Sequence, residues 1–277
     1  MQPLFCFIDD AQFELDNFAQ NAAPAFGRAR FVYARTFLEA RQLLAGRTPL
    51  CFLLDIYGGD PDLRNPRVLD LARLRSALGP EMPLETLYQG LDEAGDEAGN
   101  LYLRRLYGRV EGWQRAFLEA AAALGQGRAY GLHNLHEARR HYPLAACLGY
   151  SRKALFADAV AMCRAGAEGV LQKPQGAYDQ AIARATREAA PSLAATAYAT
   201  VDQRLARLGG ELAARLAGVG QAPELVAGLA QALAALAGQG QRPPAGQALL
   251  NLAPQAAGLA PADLALWEGL GGWLRAG

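Results

Sequence analysis

The sequence lacks an excess of charge of either sign, a long uncharged apolar run and a basic leader. Its 277 residues carry 27 basic and 27 acidic side chains, so nothing in the composition favours nucleic acid or an anionic membrane surface as a partner. No stretch reaches the roughly 18 uncharged apolar residues that a membrane-spanning helix needs. The first residues also lack the basic region of a signal peptide. We therefore expect a cytoplasmic protein that binds neither nucleic acid nor membrane.

The cysteines are few and far apart. Cys6, Cys51, Cys147 and Cys163 do not form the close pairs that are typical of zinc sites. We interpret them as small apolar residues in a reducing compartment, and we predict no disulfide among them.

What the sequence does contain is a set of short apolar runs that end abruptly in polar residues. These are Leu4 to Ile8 before Asp9 and Asp10, Leu50 to Leu54 before Asp55, and Gly169 to Leu171 before Gln172 and Lys173. Such runs are typical of strands in a parallel sheet that is buried on both faces. Because the carboxyl ends of parallel strands lie at one edge, we expect three carboxylates and one lysine to meet there. Clustered carboxylates repel one another unless a cation lies among them, so the pattern predicts a divalent metal site.

Strands and helices alternate in two separate parts of the chain, which predicts one α/β domain made of residues 1–59 and 132–190. Its fourth strand is predicted at Leu144 to Leu148. The interval between the third and fourth strands is too long for a single crossover, and it predicts a helical insertion at residues 60–131. After Pro191 the composition becomes rich in Ala, Leu and Gly. It predicts an all-α C-terminal domain at residues 191–277, with about four short helices.

The order of these motifs resembles the receiver domain of bacterial two-component response regulators. The resemblance covers residues 4–56 and about 134–190. It is carried by Phe7-Ile8-Asp9-Asp10, Leu53-Leu54-Asp55-Ile56, Leu171-Gln172-Lys173-Pro174 and the stretch from Ala165 to Gly169. It implies an α/β fold with a doubly wound five-stranded parallel sheet of the receiver or flavodoxin-like type, in the order 2-1-3-4-5.

The resemblance also implies a set of site residues. Asp55 would be the phosphoacceptor, and Lys173 would pair with the phosphate. Asp9 and Asp10 would bind Mg²⁺, with Asp55 and the backbone carbonyl of Tyr57 as further ligands. The implied partner is a histidine kinase or a phosphotransfer protein.

The sequence departs from the family pattern at two switch positions. Our alignment of the fourth strand puts Leu148 where receivers carry Ser or Thr, and Val170 where they carry an aromatic residue. Ser151, three residues after Leu148, is the candidate substitute hydroxyl. The departures put the relay from the pocket to the surface in doubt.

Three functions remain open from the sequence. In the first, Asp55 accepts a phosphoryl group in a Mg²⁺-dependent reaction, and the signal passes through protein contacts, which could include a homodimer. Such a protein is not an enzyme beyond self-dephosphorylation. In the second, a degenerate receiver acts as an unphosphorylated scaffold. The third, a Mg²⁺-dependent phosphohydrolase with an aspartate nucleophile, is disfavoured because Asp9 and Asp10 are adjacent rather than two residues apart.

Overall fold

A computed structural model describes residues 2–59, 76, 83–123, 125–218, 223–236 and 241–276. The chain forms two compact units, the first made of residues 1–56 and 131–277 and the second of residues 57–130. The first part of the predicted insertion, residues 60–75 and 77–82, lies outside the described residues. The domain boundaries drawn from the sequence stay predictions.

A five-stranded parallel sheet forms the centre of the first unit. Its strands are β1 (Leu4–Ile8), β2 (Arg30–Ala34), β3 (Cys51–Leu54), β6 (Ala146–Ser151) and β7 (Gly169–Gln172). Their order is β2-β1-β3-β6-β7. Since β6 and β7 are the fourth and fifth strands of this sheet, the predicted order 2-1-3-4-5 and the predicted fold class are confirmed.

The central strands are buried along their whole length, as their apolar sequences require. Every residue of β3 and β6 is buried. A parallel sheet covered by helices on both faces has no solvent-facing side, and this is why these runs do not alternate between apolar and polar residues.

The end of β6 corrects the sequence analysis. The strand was predicted at Leu144 to Leu148, but it runs three residues further and ends at Ser151. Leu148 lies inside the strand, where it pairs with Leu53 and with Gly169. Leu148 therefore does not occupy the strand end that the alignment assigned to it, and Ser151 does.

Helices cover both faces of the sheet. They are α1 (Gln12–Asn21), α2 (Phe37–Leu44), α4 (Ala129–His141), α5 (Phe156–Arg164) and α6 (Asp179–Gly218), with a short 3₁₀ helix at Ala23–Phe26. Helix α2 begins after Thr36, whose hydroxyl accepts a hydrogen bond from the backbone N–H of Glu39 at 3.2 Å. The Glu39 carboxylate in turn accepts one from the N–H of Arg35 at 2.7 Å. This reciprocal pair satisfies two backbone groups at the helix start.

The C-terminal region is helical, as predicted, but Pro191 does not begin it. Helix α6 runs through Pro191 and crosses residue 190 without a break. Proline inside a helix costs about 3 kcal/mol. The buried Leu193, Leu205, Leu212 and Leu216 of the same helix outweigh that cost, because each contributes roughly 1.5–3 kcal/mol.

Among the described residues after α6, four further helices follow, namely α7 (Pro223–Leu236), α8 (Arg242–Asn251), α9 (Ala253–Ala256) and α10 (Pro261–Ala276). One hydrophobic core extends from Phe5 and Phe7 of the sheet through α6 to Trp267 and Trp273 of α10. The indole N–H groups of both tryptophans are hydrogen bonded, that of Trp267 to the carbonyl of Leu249 and that of Trp273 to Asp202, each at 2.8 Å. The tail therefore packs as part of the first unit.

The second unit contains helix α3 (Ala98–Ala123) and the short antiparallel strands β4 (Gly58–Gly59) and β5 (Gln126–Gly127), together with 3₁₀ helices at Leu84–Leu87 and Gly95–Glu97. The two-residue strands were not predicted, because runs of glycine carry no apolar periodicity. Gly58 must lack a side chain, since a Cβ there would lie 2.5 Å from the Tyr130 ring. Among the described helices of the whole chain, none combines the length and hydropathy needed to cross a membrane.

Candidate metal and phosphoacceptor site

Four predicted site residues meet at the carboxyl edge of the sheet. Asp9 and Asp10 follow β1, Asp55 follows β3 and Lys173 follows β7. The register pairs Ile8 with Leu54, and the N–H of Asp55 donates to the carbonyl of Ile8 at 2.9 Å, so the first and third strands end side by side. All four side chains are buried, with exposed fractions of 1% to 6%. Burying ionised groups is costly unless they are paired or bind a metal.

The three carboxylates form one cluster. Asp9, Asp10 and Asp55 each offer a carboxylate oxygen, and these oxygens lie within 4.8 Å of one another. Together with Lys173 they give a set of four charged groups in which negative charge is in excess. Hard oxygen ligands with excess negative charge fit a divalent cation such as Mg²⁺ or Ca²⁺. The donor chemistry of this site therefore supports the predicted divalent metal site.

Lys173 lies between two of these carboxylates. Its ammonium donates hydrogen bonds to Asp9 Oδ2 and, at 3.0 Å, to Asp55 Oδ1. The rings of Phe7 and Tyr150 lie 5.6 and 5.7 Å from Nζ, close enough for cation–π attraction. Burial acts to lower the pKa of Lys173, but Asp55 and Asp9 outweigh it and raise the pKa above its usual range. The lysine thus stays charged.

Asp9 is held at both carboxylate oxygens. Oδ1 accepts the N–H of Ala11 at 3.0 Å, just before helix α1, and Oδ2 accepts from Lys173. Burial raises the pKa of Asp9; Lys173 opposes that shift, while Asp55 and Glu14 add to it. Ionised Asp9 is therefore costly in this cluster, and a bound cation would relieve that cost.

Ser151 lies beside Lys173 at the end of the neighbouring strand. It is 1% exposed, pairs with Gln172, and its carbonyl accepts the N–H of Lys173 at 3.0 Å. The candidate hydroxyl therefore lies at the same edge of the sheet as Lys173, and its role stays a prediction. Val170 lies within β7 and is half-buried.

Tyr57 belongs to the second compact unit, where its buried ring packs edge-on against Phe117 with centroids 5.4 Å apart. Its carbonyl as a metal ligand stays a prediction.

Sequence reasoning missed several charged residues near this cluster, among them Arg35, whose Nε atom donates to the backbone carbonyl of Asp10 at 2.9 Å. Glu14 lies in the first turn of α1, and its carboxylate is 4.0 Å from the Lys173 ammonium. Arg152 and Lys153 directly follow Ser151. Burial lowers the pKa of Lys153, and Asp55 and Asp10 act against that shift, so Lys153 is electrostatically close to both carboxylates. Arg152 and Lys153 could have been found from their position, because residues just after a strand lie at the same edge of the sheet as the strand end. The end of β6 was predicted too early, so these two residues were not assigned to that edge.

Gly131 supports the backbone just after Asp55. Its N–H donates to the carbonyl of Ile56 at 3.1 Å. A Cβ at this position would lie 2.7 Å from the carbonyl oxygen of Asp55 and 2.6 Å from the Cα of Ile56. Only glycine allows α4 to approach this closely without displacing Asp55.

Comparison with known proteins gives similarity in fold only. No protein-family model and no curated protein matches the chain. A CheY-like response regulator receiver domain protein from Methanospirillum hungatei is 14% identical, over 74% of this chain and 97% of that chain, with a TM-score of 0.38. A response regulator receiver domain protein from Clostridium thermocellum is 13% identical, over 69% and 96%, with a TM-score of 0.33.

A third solved structure is a response regulator protein from Burkholderia pseudomallei with a phosphorylated aspartic acid, a calcium ion and citrate. It is 15% identical, over 79% of this chain and 94% of that chain, with a TM-score of 0.34. At such identities and scores, the roles of individual residues do not follow from the likeness. They must be argued from the site itself.

Proposed function

We propose that the protein is a response-regulator-like signalling protein in which Asp55 accepts a phosphoryl group in a Mg²⁺-dependent reaction. One observation carries this proposal, namely the cluster of the Asp9, Asp10 and Asp55 carboxylates with the Lys173 ammonium at the carboxyl edge of the sheet. A structural ion pair needs one carboxylate for one ammonium. Three carboxylates around one ammonium suit a site that takes up a further cation and an anionic group.

The proposed donor is a phosphohistidine on a histidine kinase or a phosphotransfer protein. A carboxylate oxygen of Asp55 attacks the phosphorus atom, so that an O–P bond forms while the P–N bond breaks. The bonding electron pair passes to the imidazole nitrogen. Mg²⁺, held by Asp9, Asp10 and Asp55 with the Tyr57 carbonyl as a further proposed ligand, would neutralise charge on the transferred group.

Lys173 and Ser151 complete the proposed site. The ammonium already contacts Asp55 Oδ1 at 3.0 Å, so a phosphoryl group on that carboxylate would lie within its reach. The Ser151 hydroxyl would donate to another phosphoryl oxygen, in place of the switch hydroxyl of the family. The protein would then be a phosphoacceptor with at most self-dephosphorylation, and its signal would pass through protein contacts in the cytoplasm.

The scaffold function is the second candidate, because Lys173 binds Asp9 as well as Asp55. Such a double ion pair could hold the edge of the sheet together without any chemistry. In that case the protein would bind a partner without being phosphorylated.

Intact-mass measurement with acetyl phosphate and Mg²⁺ tests the proposal. We expect the wild type to gain one phosphoryl group, and Asp55→Asn to gain none. Asp16→Asn, which removes an exposed carboxylate of α1, serves as the matched control and should behave like the wild type. A wild type that neither gains mass nor binds Mg²⁺ would support the scaffold. Repeated release of phosphate from small esters would indicate a phosphohydrolase.

A further inference from the structure

Arg152 joins three segments of the carboxyl edge. Its Nη2 atom donates to both carboxylate oxygens of Glu14, at 2.8 and 3.0 Å, and its Nη1 atom donates to the carbonyl of Pro174. One guanidinium thus connects the first turn of α1, the loop after β6 and the loop after β7. The Arg152 and Glu14 side chains are 21% and 16% exposed, so water screens this pair less than it screens an exposed surface pair.

Glu14 lies at the border of the acidic cluster. Its Oε2 atom is 4.0 Å from the ammonium of Lys173, which already binds Asp9 and Asp55. A carboxylate at this distance competes for the same ammonium unless another cation holds it. Arg152 supplies that cation and occupies both carboxylate oxygens.

We propose that Glu14 and Arg152 form a positioning pair that keeps Lys173 directed at Asp9 and Asp55. By holding Glu14, Arg152 prevents a fourth carboxylate from drawing the ammonium away from the phosphoacceptor. By binding the Pro174 carbonyl, it also fixes the loop that follows Lys173. The inference rests on the proposed function, and it assigns to this pair control over how firmly a phosphoryl group on Asp55 is held.

Beryllofluoride is a stable substitute for the phosphoryl group. Its affinity for the protein, measured by calorimetry in the presence of Mg²⁺, tests the role of the Glu14–Arg152 pair. Arg152→Ala should weaken beryllofluoride binding about tenfold, because the released Glu14 competes for Lys173. Glu14→Gln in the same chain should restore the affinity to within about twofold. The single variant Glu14→Gln should stay close to the wild type.

Mg²⁺ alone provides the second readout. Arg152→Ala should bind Mg²⁺ at least as tightly as the wild type, because the released carboxylate adds negative charge near the cluster. Loss of both affinities would instead mark Arg152 as merely structural and overturn the inference. Arg184→Ala, which breaks the exposed pair of Arg184 with Glu188 on α6, is the matched control and should change neither affinity.

The outcomes separate this inference from the proposed function. A wild type that binds beryllofluoride, together with an Arg152→Ala variant of equal affinity, would overturn the positioning pair alone. Weakened binding that Glu14→Gln does not restore would do the same. A wild type that shows no Mg²⁺-dependent beryllofluoride binding would overturn the proposed function, and the positioning pair with it. Arg152→Lys keeps the charge but loses the two separate nitrogens that contact Glu14 and the Pro174 carbonyl, and it should fall between the wild type and Arg152→Ala.

Discussion

The two edges of the parallel sheet are both charged, but with opposite balances. At the amino edge, Glu168 lies just before β7 and accepts hydrogen bonds from Arg139 and from the N–H of Cys147 at 2.6 Å. Arg204 and Arg207 of α6 approach its other oxygen at 3.5 and 3.8 Å. One carboxylate thus meets three guanidinium groups. At the carboxyl edge, three carboxylates gather around the ammonium of Lys173.

This difference is the basis on which we assign a structural role to the amino edge and the proposed site to the carboxyl edge. Two hydrogen bonds reach Oε2 of Glu168 and two guanidinium groups form ion pairs with Oε1, so the carboxylate is well neutralised, and its arginines connect the sheet to α4 and α6. At the carboxyl edge, the three clustered carboxylates carry more negative charge than Lys173 and the nearby Lys153 carry positive charge, and buried negative charge is stable only if it is neutralised. We therefore expect a cation to add to that edge, whereas at the amino edge each oxygen of Glu168 already lies close to a positively charged side chain.

Glu168→Gln should have the largest effect on stability. It leaves Arg139 and Arg204 partly buried without their shared carboxylate, which we expect to lower the free energy of unfolding by about 3 kcal/mol. Urea denaturation measures the loss. Mg²⁺ should raise the stability of Glu168→Gln and of the wild type equally, so that the difference between them stays the same, because the metal would bind at the opposite edge. Glu188→Gln, an exposed carboxylate of α6, is the control and should change stability very little.

A difference between Glu168→Gln and the wild type that becomes smaller when Mg²⁺ is added would mean that the two edges are coupled. The comparison between a structural edge and a functional edge would then be wrong.

Lys173→Met should have the second largest effect and lower the free energy of unfolding by about 2 kcal/mol in the absence of metal. Methionine keeps the unbranched apolar stem but removes the charge that neutralises Asp9 and Asp55. Here Mg²⁺ should reduce the difference from the wild type, because carboxylates that have lost the ammonium bind the cation more tightly. Binding at about a hundredfold above the dissociation constant contributes roughly 2.7 kcal/mol, and each tenfold gain in affinity adds about 1.4 kcal/mol. The same titration on Glu168→Gln provides the comparison. Equal loss with and without Mg²⁺ would identify Lys173 as part of a purely structural ion pair.

The sheet and its order could be predicted because burial on both faces leaves a direct record in the sequence. The runs ending at Ile8 and Leu54 are continuously apolar, and short crossovers allow few topologies. The end of β6 could not be found in this way, since Gly149, Tyr150 and Ser151 are not a typical apolar run although all three are buried. The continuation of α6 through Pro191 was missed for a related reason, because packing outweighs local propensity.

The part of the candidate site that lies at the strand ends could be predicted from the sequence. Asp9, Asp10, Asp55 and Lys173 each directly follow a strand, and parallel pairing is enough to bring them together. Side chains that reach the cluster from helices or loops were missed. Glu14 and Arg152 are 138 residues apart in the sequence, and neither belongs to a local motif that indicates the other. Contacts of this kind depend on side-chain direction, which the sequence pattern does not record.

Arg207→Ala should have the smallest effect on the free energy of unfolding. It tests whether Glu168 depends on Arg207 as well as on Arg139 and Arg204. The Arg207 side chain is 58% exposed, and its guanidinium lies 3.8 Å from Glu168, so water screens the pair. We expect the free energy of unfolding to change by less than about 0.5 kcal/mol. Arg204→Ala, which removes a largely buried partner of the same carboxylate, should cost clearly more in the same urea experiment. If Arg207→Ala lowered the free energy of unfolding as much as Glu168→Gln does, the exposed arginine would be as important to Glu168 as the two largely buried ones.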